Sequence, residues 1–324
     1  MLHIDVFNGD ADGICALHQL RLDKPEPDAR IITGVKRDIR LLSQIQDVAG
    51  AAVTALDISL DRNRNELEKL LGQGNRIFYV DHHFCGKIPD SKELEAHIDL
   101  SPATCTALIV DSLLQGKYRA WAIAGAFGDN LDEVARDAAK KIGIDGNFLE
   151  QLREIGVLLN YNGYGAILDD LFYHPADLYG QVRRYEDPFE FHARSPAMEI
   201  LRDGYSHDIE LAARFEPLRE SEHGRIFQFP AKAWARRVAG VYSNILAREK
   251  PDMAHTLIIK NNDGTFRISV RAPLNSRTGA DELCRAFPTG GGRAAAAGIN
   301  SLPQDRLEQF HTAFFEQFSR SGQK

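Results

Sequence analysis

The chain of 324 residues has only four cysteines, Cys15, Cys85, Cys105 and Cys284. They stand far apart and none forms C-x-x-C, which argues against a zinc ribbon, a dithiol redox motif or a disulfide scaffold. Four reduced thiols in a cytoplasmic protein are expected. Long apolar runs are missing too: none approaches the roughly 18 residues that a membrane-spanning helix needs. The opening MLHIDVFNGDADG lacks a basic stretch followed by an apolar one, so no signal peptide is expected. Positive charge is in deficit, with 39 Lys and Arg against 46 Asp and Glu and a net charge of −7. That balance argues against stable duplex-DNA binding, which needs a large positive field, and leaves room for a local basic groove. At 44% hydrophobic and 26% charged residues, the composition is that of a globular chain and excludes a disordered one. The length suggests two domains at roughly 150 residues each.

What is present has a clear order. β-type runs occur at 2–7 (LHIDVF), 30–33 (RIIT), 52–56 (AVTAL) and 76–80 (RIFYV), with helical patterns between them at 13–22, 38–48 and 61–71. Strands alternating with helices predict parallel βαβ units. After Asp99 the texture becomes helical, at 104–114, 119–127, 131–142 and 147–159. From 187 to 219 the chain is polar, aromatic and interrupted by Pro188, Pro196 and Pro217. It reads as a connection between a first domain at 1–186 and a second at 220–324. The second domain reads as a strand at 225–229, a helix at 238–248, and two strands at 255–260 and 265–271 joined across Asn262-Asp263-Gly264. A helix at 280–287, a Gly/Ala tract at 290–298 and a last helix near 304–318 follow. The expected fold class is α/β, a parallel-sheet domain followed by a smaller α+β domain.

Three of the first-domain strands run into acids. The first leads into Asn8-Gly9-Asp10-Ala11-Asp12-Gly13, the third into Asp57 and the fourth into Asp81-His82-His83. In a parallel sheet all carboxyl ends lie along one edge, where ligands bind, so these side chains converge. Carboxylates crowded in this way repel one another and do not all stay ionised unaided. A divalent cation resolves the conflict, and oxygen with imidazole donors suits Mn²⁺, Mg²⁺ or Zn²⁺. A further acid, Asp129, follows the apolar helix in the turn Gly128-Asp129-Asn130. Taken singly, Asp12 is a plausible helix cap and a strand-end Asp is a common turn residue. The run from Asn8 also matches the start of a calcium loop, but a strand precedes it and Gln19 stands where that loop needs a bidentate Glu.

Asp10-Ala11-Asp12-Gly13, Asp57, Asp81-His82-His83 and Asp129, in that order, resemble the four motifs of the DHH phosphoesterase superfamily. In the second domain, Thr289 through Gly298 (TGGGRAAAAG) resembles the glycine-rich signature of the DHH-associated C-terminal domain, and Ser269-Val270-Arg271 its arginine-bearing strand. The resemblance runs from Asp10 to Gly298 and takes in RecJ-like exonucleases and oligoribonuclease/pAp phosphatases.

The resemblance implies a hydrolase with two bound ions, Mn²⁺ or with Mg²⁺ or Co²⁺ as substitutes. Asp12, bridging Asp57, His82 and Asp129 would hold one ion and Asp10 would help hold the other. Asp81 belongs to the metal group, orienting it from behind. His83 would donate to a phosphate oxygen or the leaving group, so that Asp57, His82 and His83 form the catalytic group. Arg271, Arg293 and the backbone around Gly291 and Gly292 would bind the substrate phosphate. Glycines let amides approach an anion, and the alanines that follow are read as opening a helix toward it. Arg293 stands where the family signature carries His, and a guanidinium there clamps phosphate and gives up no proton. Val6 stands where one branch has an imidazole ligand and Asn8 where RecJ-like members have Asp, so the two ions are expected to bind unequally. Asn160 to Gly165 carries no family motif and reads either as a base pocket or as a packed turn.

The expected function is a two-domain, cytoplasmic, manganese-dependent phosphoesterase closing on a short oligonucleotide, a dinucleotide or a small nucleotide. A non-catalytic nucleotide sensor and a single-strand exonuclease are the alternatives. Neither the exact substrate nor the oligomeric state follows from the sequence.

Overall fold

The computed structural model describes residues 1–321 and forms two units, Met1–Gly204 and Tyr205 onward. In the first unit, strands β1 (His3–Asn8), β2 (Arg30–Gly34), β3 (Ala52–Leu56), β4 (Arg76–Asp81) and β5 (Leu94–Ile98) form one sheet in the order β2-β1-β3-β4-β5. Every pairing is parallel. This order places a topological switch point at β1, between β2 and β3. The strands are apolar because both faces are covered. Val6, Val53, Ala55, Ile77 and Tyr79 pack with Leu41, Leu42 and helix α2 (Arg64–Gly72) on one side. Helix α1 (Ala11–Asp23) covers the other, with α3 (Thr106–Leu113), α4 (Arg119–Gly128), α5 (Asp132–Lys140) and α6 (Gly146–Asn162) built around it.

Register decides where the strand-end acids fall. Phe7 pairs with Leu56 and Leu56 with Val80, so Asn8, Asp57 and Asp81 stand at one level across three adjacent strands. The amide of Asp57 donates to the carbonyl of Val80 (3.0 Å) and Asp57 adopts a left-handed backbone (φ 56°). Asp tolerates that conformation better than most residues.

Several expectations change. The pattern at 38–48 forms only a 3₁₀ turn, Leu41–Gln44, because Asn63 Oδ1 takes the Leu42 amide (3.2 Å) that a helix would use. Strand β5 carries Glu95 and His97 at the sheet edge and gives no apolar signal. After α7 (Pro175–Val182), the segment read as a broken connection holds two helices, α8 (Pro188–Arg194) and α9 (Pro196–Ala213). Pro188 and Pro196 begin these helices and do not interrupt them, since the first helical position needs no N–H. The division between the two units falls inside α9.

In the second unit, β6 (Arg219–Ser221), β7 (Gly224–Phe229), β8 (Ala254–Lys260), β9 (Phe266–Arg271), β10 (Gly290–Arg293) and β11 (Ala296–Leu302) form a sheet in the order β10-β11-β9-β8-β7-β6. Helix α10 (Ala233–Glu249) packs its Val238 and Tyr242 on Phe227, Phe229, Leu257 and Ile259. Helices α11 (Ala280–Arg285) and α12 (Leu307–Ser321) cover Ile268, Val270 and Ile299 with Leu283, Phe310 and Phe314. The Gly/Ala tract is a β-hairpin, not the opening of a helix. Gly292 has φ 138°, outside any helix, and a Cβ on Gly290 would lie 1.7 Å from the carbonyl of Cys284. The alanines join the ladder instead. All four cysteines are buried, and no helix among the described residues is long and apolar enough to cross a membrane.

Asp129 reaches the sheet edge through a close helix crossing. A Cβ built on Gly156 of α6 would stand 2.1 Å from the Ala124 carbonyl of α4, and one on Gly128 2.3 Å from the Ala11 Cβ of α1. Backbone atoms cannot yield, so Gly156→Ala is expected to lower stability by about 1–3 kcal/mol. Gly180→Ala in α7, where a Cβ meets nothing within 4 Å, should be neutral or stabilising by up to about 1 kcal/mol. Urea unfolding of both variants checks this. Equal midpoints would mean that the crossing is not tight.

Candidate active site

The edge at the carboxyl ends of β1, β3 and β4 collects Asp10, Asp12, Asp57, Asp81, His82 and His83, and the end of α4 adds Asp129. The first four acids are buried and Asp129 is half-buried. Asp10 is the N-cap of α1: its Oδ1 accepts from the amides of Asp12 (3.1 Å) and Gly13 (3.2 Å). Asp12 accepts the amides of Thr106 (2.8 Å) and Ala107 (2.7 Å) at the start of α3. These amides fix its orientation. The Thr106 hydroxyl donates to Asp57 Oδ1 (3.3 Å).

His82 lies at the centre. Its Nε2 is 3.4 Å from Asp57 Oδ1, 3.7 Å from Asp129 Oδ2 and 3.8 Å from Asp12 Oδ2. Donor atoms about 2 Å from one shared ion stand roughly 3–4 Å from each other, so each of these three oxygens suits a divalent cation shared with His82. Asp12, His82 and Asp129 form one compact donor set, and Asp57, His82 and His83 another. Charge points the same way. Burial pushes the proton affinity of Asp57 well above the usual carboxylate range, and Asp12, Asp10, Asp81 and Asp129 push it further. Burial and Asp12 raise Asp129 to about 6, against the pull of Lys36. A bound cation removes both conflicts.

Asp81 belongs to neither donor set. Its Oδ1 accepts from His83 Nδ1 (2.7 Å), and that hydrogen bond, opposed by burial, raises the His83 pKa. Its Oδ2 is buried without a hydrogen-bond partner.

Lys36, two residues past β2, is a member of the site that the sequence reading missed. Its Nζ lies 2.5 Å from Asp10 Oδ2, 3.0 Å from Asn160 Oδ1 and 3.5 Å from Asp129 Oδ1. Burial works against the charges of Lys36 and Asp10. Each nonetheless holds the other ionised, Asp10 below and Lys36 above its ordinary value. The signal lay in plain view: a basic residue just beyond a strand that ends on the acid-bearing edge. Asn8 donates its Nδ2 to the Lys36 carbonyl (3.1 Å), and its Oδ1 is buried without a hydrogen-bond partner. The stretch from Asn160 is the last turn of α6 and the turn after it, in which Asn162 binds the backbone of Tyr173 through both its amide atoms (2.9 and 3.0 Å) and Asn160 reaches the site.

In the second unit, Ala296 of β11 pairs with Arg271 of β9 on one side and Arg293 of β10 on the other. Residues paired across a ladder share a face, so the two arginines flank Ala296 on backbones about 10 Å apart. Gly291, Gly298 and Ser269 form the next row on that face, and a Cβ on Gly291 would meet nothing within 4 Å. The result is a floor of small residues with a basic rim. Arg271 is steered by Asn244, whose Oδ1 accepts from its Nε (2.7 Å).

Asp57 carries the largest electrostatic cost, and Asn keeps its shape and its tolerance of positive φ. Metal-free Asp57→Asn is therefore expected to melt at a higher temperature than metal-free wild type, and to lose most of the rise that Mn²⁺ gives wild type. Thermal unfolding with chelator and with Mn²⁺ checks both. A less stable metal-free variant would contradict the repulsion argument.

No model of a known family matches the chain, and no curated protein matches it in sequence. Solved structures do match. The exonuclease RecJ bound to manganese superposes with a TM-score of 0.60 at 15% identity, over 99% of this chain and 90% of that one. RecJ of Thermus thermophilus with Mn²⁺ gives 0.61 at 16% identity over 98% of this chain, which spans 52% of that protein. The pGpG-specific phosphodiesterase PggH from Vibrio cholerae gives 0.53 at 10% identity over 99% of each chain. At such identities the likeness is one of fold. The motifs and the architecture agree, and the chain has the fold of the DHH superfamily, to which RecJ and PggH belong.

Proposed function

We propose that this protein is a metal-dependent phosphoesterase acting on short oligonucleotides, linear dinucleotides or small phosphorylated nucleotides. The observation that carries the reading is the convergence of Asp12, Asp57 and Asp129 on His82 Nε2 within 3.8 Å. RecJ with manganese and the pGpG phosphodiesterase share the fold, which supports Mn²⁺ and a nucleotide substrate. The net charge of −7 favours a small substrate over a long polymer and leaves a single-strand exonuclease as the lesser alternative. The cysteine usage supports a cytoplasmic setting.

A divalent ion held by Asp12, Asp57, His82 and Asp129 would supply an activated water and neutralise phosphate oxygens. The protein's own groups do the rest. Asp81 holds His83 through Nδ1 and favours the charged ring, leaving Nε2 to donate to a phosphate oxygen or to the leaving oxygen. Asp10 neutralises Lys36 and starts α1, which fixes Asp12. Arg271 and Arg293, over the floor formed by Gly291, Gly298 and Ala296, take a phosphate as a bidentate anion; Gly292, paired with Ala297, lies on the other face.

Hydrolysis of bis-p-nitrophenyl phosphate with Mn²⁺, followed by pAp, pApA, pGpG, cyclic dinucleotides and short RNA, tests the reading. Chelator should abolish turnover, and Asp57→Asn should lower it by about 1,000-fold or more, because charge compensation dominates this chemistry. A variant with near-normal activity would remove Asp57 from the mechanism. Arg271→Ala and Arg293→Ala should each raise KM, with a smaller change in kcat. Losing a charge-assisted hydrogen bond costs about 1.5–3 kcal/mol, roughly 10- to 150-fold in kcat/KM. Unchanged kinetics would return both to the solvated surface. The Lys36–Asp10 pair favours one second reading, a nucleotide sensor, in which nucleotides raise the melting temperature and none is turned over.

A further inference from the structure

Building on the metal-dependent reading, we propose that Lys36 stands in for one of the two divalent ions that the resemblance implies. The site would then work with one metal ion and one built-in ammonium.

Three oxygens from three separate elements surround Lys36 Nζ: Asp10 Oδ2 from the end of β1 (2.5 Å), Asn160 Oδ1 from α6 (3.0 Å) and Asp129 Oδ1 from the end of α4 (3.5 Å). The lysine is held there by its own backbone. Its N–H donates to the Gly163 carbonyl (2.9 Å) and its carbonyl accepts from Asn8 Nδ2 (3.1 Å). Asn160 is oriented in turn, its Nδ2 donating to the Tyr164 hydroxyl (2.6 Å). This is a constructed position for a cation, unlike a surface lysine that swings into a void.

The second compact donor set, Asp57, His82 and His83, shares Asp57 and His82 with the ion already described, so few donors are left for a second metal. Asp10 spends Oδ2 on Lys36 and Oδ1 on the amides of Asp12 and Gly13, and it belongs to neither compact donor set. Val6 is an apolar core residue of β1 and offers no ligand atom. Asn8 is held by its Nδ2 on the Lys36 carbonyl, and its buried Oδ1, which has no hydrogen-bond partner, adds a single uncharged donor. A second dication would also have to sit beside a fixed ammonium in a poorly hydrated pocket, where like charges repel strongly. In this arrangement Lys36 neutralises Asp10 permanently, shares Asp129 with the bound ion, and adds a positive charge that a phosphate oxygen can meet. As a strongly hydrated point charge, an ammonium can contact a phosphate oxygen without needing the planar fit of a guanidinium.

The test is metal stoichiometry on the full chain. Protein dialysed against excess Mn²⁺ is assayed for bound metal and examined by electron paramagnetic resonance. Wild type should hold one ion per chain and show the hyperfine pattern of an isolated ion. Lys36→Met, which frees Asp10, should gain a second, weaker ion and a spin-coupled signal. Two coupled ions in wild type would overturn the inference and leave the metal-dependent reading standing. A folded Lys36→Met that still holds a single ion would overturn it as well, since the lysine would then not be what keeps the second ion out. No bound ion in wild type would end both readings together. The wild-type measurement is decisive even if the variant fails to fold.

Discussion

Mutual repulsion among carboxylates at one sheet edge is the constraint on which the rest of this structure depends. Parallel strands of matched register bring Asn8, Asp57 and Asp81 to one level, and the turn after β1 adds Asp10 and Asp12. Four of these five side chains are buried acids. Water cannot screen them there, so each needs a partner. The protein supplies several of different kinds: backbone amides at the start of α1 for Asp10 and of α3 for Asp12, a lysine for Asp10 and an imidazole for Asp81. Asp57 is left with a threonine hydroxyl and the Nε2 of His82 nearby. It is the side chain with the greatest need for an added cation, and its left-handed backbone shows that the fold bends to hold it in place.

The scaffold around the edge is correspondingly stiff. Close glycine contacts among α1, α4 and α6 set the height at which Asp129 arrives, and the same α6 delivers Asn160 to Lys36. A looser crossing would move a metal donor and a lysine partner together. This links packing well away from the reacting centre to the electrostatics within it: the helices must meet at backbone distance because the oxygens must meet at ligand distance.

Much of this was legible in the sequence. Apolar runs ending in Asp, repeated on successive βαβ units, place acids on one edge whatever the helices do, because parallel strands all end on the same side. Lys36 escaped because a search for ligands looks for donors of electron pairs, and an ammonium among those donors carries the sign of the metal. The helix expected from the alanines at 294–297 failed because composition cannot register the positive φ of Gly292 or the close approach of Gly290 to Cys284. The prolines at 188 and 196 misled for a related reason. Proline ends a helix from within and starts one from its first position, and the difference lies in a hydrogen-bond count that a short window does not hold.

The account stands or falls on where a metal ion sits. Crystals of the full chain soaked in Mn²⁺ and measured at the manganese absorption edge locate it directly. The account predicts an anomalous peak about 2 Å from His82 Nε2 and from carboxylate oxygens of Asp12, Asp57 and Asp129. A peak bound elsewhere, or none at these four side chains at saturating Mn²⁺, would contradict it.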